Sequence, residues 1–119
     1  MFGKVKEYIF KNWTILFLIG FSIGVFILGT KINLFRYNNF DLGKFDLGNM
    51  TQMVWNTING SFMYLTDYFG TNLPRWAMSH VDPILLLVVP FFLFVQSPLT
   101  LIFFQLTLLV FSSILIYLI

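Results

Sequence analysis

The sequence has 119 residues, of which 58% are hydrophobic, 20% aromatic and only 10% charged, with a net charge of +2. A soluble domain carries about 25% charged residues, and one this short could not hide 16 Phe side chains from water. The composition therefore points to an integral membrane protein with the lipid bilayer as its first partner. The small charge, without basic clusters among stacking aromatics, gives no reason to expect nucleic acid, and the lack of cysteine excludes disulfides and thiolate metal sites.

The chain opens with a basic tail, residues 1–12, in which Lys4, Lys6 and Lys11 face only Glu7. An uncharged run from Trp13 to Thr30 follows. As a helix it spans roughly 27 Å, near the hydrocarbon thickness of about 30 Å, so 13–30 is the first predicted transmembrane helix. The run is long for a signal peptide, and Leu28-Gly29-Thr30-Lys31 is a poor cleavage site, so an uncleaved span is expected. The spacing Gly20-x-x-x-Gly24 fits a helix-packing face.

Residues 31–82 hold most of the charges of the chain. Lys31, Arg36, Lys44 and Arg75 balance Asp41, Asp46, Asp67 and Asp82. A positive tail and a neutral loop place the N-terminus in the cytoplasm and the loop outside the cell membrane. Within the loop, Asp46 to Asn59 reads as an amphipathic helix, because Met50, Met53, Val54 and Ile58 form one apolar stripe. Asp46 is placed as its N-cap and Gly60 as its terminator. Residues 61–75 read as irregular, with Gly70 and Pro74 as breakers.

Asp82-Pro83 is a helix-start signature, and 83–96 is predicted as a short second transmembrane helix. Ile84 to Val95 covers only about 18 Å, and Pro90 removes one backbone hydrogen bond. After Gln96-Ser97-Pro98, residues 99–119 span about 31 Å as a third helix. The fold class expected is all-α and polytopic: three transmembrane helices, with an amphipathic helix in the external loop after the first. The chain stops at Ile119 inside an apolar run with no polar exit, so a truncated chain is expected, partnered by the remaining helices of its parent.

No phosphate loop, nucleophile elbow or zinc motif is present, and one His cannot build a metal site alone. The candidate polar residues collect at the expected outer face: Asp41, Asp46, Arg75, His80 and Asp82. Asp46 reads either as a helix cap or as a general base or metal-binding carboxylate. Asp41 reads as a solvated loop residue. His80 and Asp82 read as juxtamembrane polar residues or as a substrate-binding pair. Arg36, Lys44 and Arg75 suit lipid phosphates, or the phosphate of a lipid-linked substrate.

A set of ordered motifs carries a resemblance. They are Phe45-Asp46-Leu47-Gly48, Gln52, Val54-Trp55-Asn56, Gly60, His80-Val81-Asp82-Pro83, Pro90, Ser97-Pro98-Leu99-Thr100 and Gln105. From about residue 35 onward the chain resembles a family of predicted multi-span membrane proteins of unknown function, grouped with the GT-C glycosyltransferases. The resemblance implies a membrane enzyme that uses a polyprenyl-phosphate sugar donor. It further implies that Asp46 is the catalytic carboxylate, acting as base on the acceptor or helping to hold a divalent metal. His80, Asp82, Arg75, Gln52 and Trp55 are then the expected substrate-binding residues, with no metal ligand assigned. The family often has an acidic residue just before the Gln, where this chain has Thr51; a metal site that used that carboxylate would lack it here. The alternative is a non-catalytic small membrane protein or a transporter segment.

Overall fold

The structure is a computed structural model that describes residues 2–42, 44–66, 70–78 and 82–119, with the side chains of 2–11, 44, 45, 78 and 118 left aside. It divides into two compact units. One takes the first helix up to Ile32 and the last helix from Gln105; the other is Asn33–Phe104.

Helix α1, Phe2–Asn38, contains no proline. Its geometry breaks at Asn12 (φ −116°, ψ 16°), and the apolar stretch runs from there, as Asn12–Asn38. These 27 residues make a helix of about 40 Å, well beyond the expected end at Thr30. Lys31 ends the uncharged run but not the helix, because helix propensity does not require apolarity and Ile32 to Phe35 continue it. Of an apolar 18-residue segment within it only 6% is buried inside the protein, so that apolar surface faces outward.

In the first unit, Ser22 and Ser113 share a hydrogen bond of 3.3 Å, and a Cβ placed on Gly29 would stand 2.8 Å from Leu106 Cδ1. Gly20 and Gly24 face open space. The contact thus uses Ser22 and Gly29 rather than the expected Gly20-x-x-x-Gly24 face.

In the second unit α1 ends in a six-residue loop-back. The Asp41 N–H donates to Arg36 O (2.8 Å) and the Phe40 N–H to Tyr37 O (3.1 Å). Phe40 takes φ 55° to allow this. Helix α2, Lys44–Ile58, follows. It starts two residues before Asp46, which therefore lies in the first turn instead of at the cap. Its other end repeats the same closure: Ser61 N–H to Asn56 O (2.9 Å) and Gly60 N–H to Thr57 O (3.4 Å), with Gly60 at φ 90°.

Where an irregular stretch was expected, β1 (Tyr64–Thr66) pairs antiparallel with β2 (Asn72–Pro74), Leu65 opposite Leu73. Three-residue strands are too short to show alternation in sequence. Next come a 3₁₀ turn, Arg75–Met78, a 3₁₀ helix, Pro83–Leu87, and a single turn α3, Val89–Phe92. The second expected span is thus two short turns, with Pro83 opening one and Pro90 in the first turn of the other. Helix α4, Pro98–Leu118, starts where the Ser97 hydroxyl caps Leu99 N–H (3.3 Å). Among the described residues, two helices are long and apolar enough to cross a membrane, Asn12–Asn38 and Pro98–Tyr117, rather than three.

The core of the second unit is one cluster. Met53 and Val54 of α2 meet Met63, Leu65, Leu85, Val88, Phe92 and Leu101, with Met50, Ile58 and Phe104 at its edge. The stripe read as amphipathic is the face that α2 buries. Removing a Met or Phe side chain from water contributes about 1.5–3 kcal/mol, so this cluster holds α2, the hairpin and the short turns as one body.

Candidate functional site

Asp46 stands in the first turn of α2 and is exposed. The unpaired N–H groups of a helix start carry partial positive charge, which favours a carboxylate there. One turn and a half further on, Gln52 is half-buried and spends its amide on the hairpin. Its Nε2 donates to Thr66 Oγ1 (2.7 Å), and its Oε1 accepts from the Thr66 N–H (3.3 Å). Thr66 Oγ1 in turn donates to Asn72 Oδ1 (2.8 Å), so one chain of bonds joins α2, β1 and β2. Asn56 Nδ2 adds a bond to Tyr64 O (2.8 Å). Trp55 points outward, about half exposed.

Arg75 follows β2 directly. Its N–H donates to Met63 O (2.8 Å), which continues the hairpin ladder. Its Nε lies 3.1 Å from Asp82 Oδ2, and the two side chains are only 18% and 28% exposed. Asp82 occupies the position before Pro83, but its side chain does not cap that helix; the carboxylate is committed to Arg75. His80 lies outside the described residues. A second pair, Arg36 Nε to Asp41 Oδ2 at 3.5 Å, is exposed, and Arg36 also donates to Asp41 O (3.1 Å). Asp41 is thus not simply solvated: it closes α1 together with Arg36.

The structure therefore joins Arg75 to Asp82 and Gln52 to the hairpin, while Asp46 and Trp55 stand apart on exposed parts of α2. Among the described residues, no three His, Cys, Asp or Glu side chains gather to hold a metal ion. Two features escaped the sequence. An open cleft of about 380 Å³ lies where α1 ends, lined by Asn38, Phe40, Leu42, Leu47 and Pro98 among others. The Gln52–Thr66–Asn72 relay is the other, because nothing in a three-residue strand announces which side chain will meet it.

Against known proteins, a model of the family described as "Predicted membrane protein (DUF2079)" matches residues 36–119. No curated protein and no solved structure matches the chain. The family match covers the second unit from Arg36 onward and the rest of α4, well over half of the sequence. Together with two outward-facing apolar helices, it makes this chain a membrane protein of the DUF2079 family.

Proposed function

We propose that this chain belongs to a GT-C-like membrane glycosyltransferase that takes its sugar from a polyprenyl-phosphate donor, with Asp46 as the reacting carboxylate. The observation that carries the reading is the placement of Asp46: exposed, at the positive end of α2, in a folded segment between two apolar helices. The ordered motifs from Phe45 to Gln105 support it. Asp46 takes the proton from an acceptor hydroxyl while that oxygen bonds to the sugar and the polyprenyl phosphate leaves; alternatively it would help to hold a divalent metal, which would supply positive charge for the leaving phosphate. Arg75, Asp82 and His80 serve as donor-binding residues in this reading, and Trp55 offers a face for a sugar ring. The Lys-rich tail sets the N-terminus in the cytoplasm and α2 outside the cell membrane.

The test uses the protein expressed from its natural gene in membranes supplied with a radiolabelled lipid-linked sugar. A general base contributes about 10²–10⁴ in rate, so Asp46→Asn should lose transfer by at least about 100-fold. Wild-type transfer by that variant removes Asp46 from the mechanism.

A non-catalytic membrane role is the second reading. It is favoured by the way Arg75 and Asp82, and Arg36 and Asp41, already satisfy each other. Under it no lipid-linked sugar is consumed, and Asp46→Asn leaves every phenotype of the protein unchanged.

A further inference from the structure

Asn38 at the end of one apolar helix and Pro98 at the start of the other line the same cleft. The chain between them must therefore leave and return on one side of the bilayer. Pro83–Val95 lies within that stretch and is as apolar as a span. Its inward face is packed: Leu85, Val88 and Phe92 are buried in the core, Phe92 only 1% exposed. Its outward face carries Ile84, Leu87, Phe91 and Phe94, all more than half exposed, Phe94 at 88%. A soluble protein would not leave such a continuous apolar patch in water.

Depth comes from two contacts. The Phe91 ring lies 5.7 Å from the ring of Phe104, and Leu101 shares the core with Leu85, Val88 and Phe92. Phe104 is six residues into the Pro98–Tyr117 span, about 9 Å below its start. A bilayer leaflet is about 15 Å of hydrocarbon, half of the full core, so with Pro98 at its edge the Phe91 ring falls inside one leaflet. The backbone suits that depth, because its polar groups bond locally: Val88 N–H to Leu85 O (3.0 Å), Phe92 N–H to Val88 O (3.0 Å) and Val95 N–H to Phe91 O (3.2 Å). The Val95 carbonyl also receives the Thr100 hydroxyl at 2.7 Å, where the segment turns into α4.

We propose that Pro83–Val95 is a re-entrant wedge: it dips into one leaflet, presents Ile84, Leu87, Phe91 and Phe94 to lipid acyl chains, and returns to the side it came from. The occupant of this face is the same lipid that surrounds the start of α4, with which the patch is continuous. The chain then crosses the membrane twice, not three times, and α2, the hairpin and Gln96 share one side. This inference is independent of the glycosyltransferase reading.

The chain has no cysteine, so single cysteines report cleanly. Asn59, Gln96 and Phe94 are all exposed, and replacing each leaves the core intact. In sealed vesicles, Asn59→Cys and Gln96→Cys should react with a membrane-impermeant maleimide from the same side. Phe94→Cys should lose that reaction, because a thiol among acyl chains does not ionise, and a nitroxide attached to it in detergent before reconstitution should be relaxed by oxygen, which concentrates in lipid, and shielded from a water-soluble nickel complex. Labelling of Gln96→Cys only from the side opposite Asn59→Cys means the segment crosses and overturns the wedge. Labelling of Phe94→Cys by the impermeant reagent as fast as Asn59→Cys places it in water, and shielding of its nitroxide from both oxygen and the nickel complex places it inside protein; either result overturns lipid contact.

Discussion

Phe40 and Gly60 occupy the same position in the same closing motif, yet only glycine tolerates it without strain. A side chain in the left-handed region brings Cβ against the following carbonyl, at about 1–2 kcal/mol. Phe40 takes φ 55° while 85% exposed, so its ring recovers little of that by packing. Phe40→Gly should therefore stabilise the protein, and after the greater freedom of glycine in the unfolded chain about 0.5–1 kcal/mol should remain. Gly60→Ala should do the reverse, losing about 1 kcal/mol, since φ 90° is required there too. Thermal unfolding in detergent measures both; equal melting of wild type and Phe40→Gly refutes the strain at that position. The sequence hid this residue because Asn38 and Asn39 stand next to it and are better suited to such a conformation. Arg75 and Asp82 are the other decisive residues. The pair is neither open to water nor fully enclosed, and charge-assisted bonds of this kind contribute about 1.5–3 kcal/mol. A double-mutant cycle with Arg75→Gln and Asp82→Asn should give a coupling of about 1–2 kcal/mol. A coupling near zero means the two side chains are held by the backbone alone.

Among the elements, the short turns after the hairpin separate an inward from an outward face: Leu85, Val88 and Phe92 are buried while Phe91 and Phe94 are exposed. Phe92 fills the core against Met53 and Val54, and truncation of such a ring costs about 3–5 kcal/mol. Phe92→Ala should therefore lose most of the stability of the second unit, while Phe94→Ala, two residues on, should change melting in detergent by less than about 0.5 kcal/mol. Similar losses from both variants mean the burial assigned to α3 is wrong. The sequence showed which elements are helices where periodicity is long: Met50, Met53, Val54 and Ile58 mark the buried face of α2, and Gly60 marks its end. It failed for Ile84–Val95, since a run apolar on every side has no period to read, and a short span and a packed pair of turns look alike. It failed too for β1 and β2, three residues each, which Gln52 ties to α2 through Thr66 from fourteen residues away. For the candidate site, Asp46 was legible as a helix-start carboxylate, but the pairing of Arg75 with Asp82 needed the turn between them to be built.

For the molecule as a whole, lipid replaces water as the solvent of both apolar helices, so helix association rests on close fit rather than on hydrophobic burial. The first unit shows where that fit is made. Small residues recur along α1, but Gly20 and Gly24 have open space around them, whereas Gly29 has Leu106 directly against it. A glycine motif marks a thin surface without saying which sector meets a neighbour; the neighbour decides, and here it is Ser113 with Ser22 and Leu106 with Gly29. The side-chain tolerance of the two sites should differ accordingly. An added Cβ at position 29 meets Leu106 Cδ1 at 2.8 Å, the mobile end of a flexible side chain, so Gly29→Ala should cost little once Leu106 rotates away. Gly29→Leu cannot be absorbed that way and should lose about 1–3 kcal/mol through overpacking. Gly20→Leu should melt within about 0.5 kcal/mol of wild type, because its side chain enters open space. Melting both leucine variants in the same detergent decides the matter: a larger loss at position 20 than at 29 would put the packing face on the Gly20-x-x-x-Gly24 sector after all.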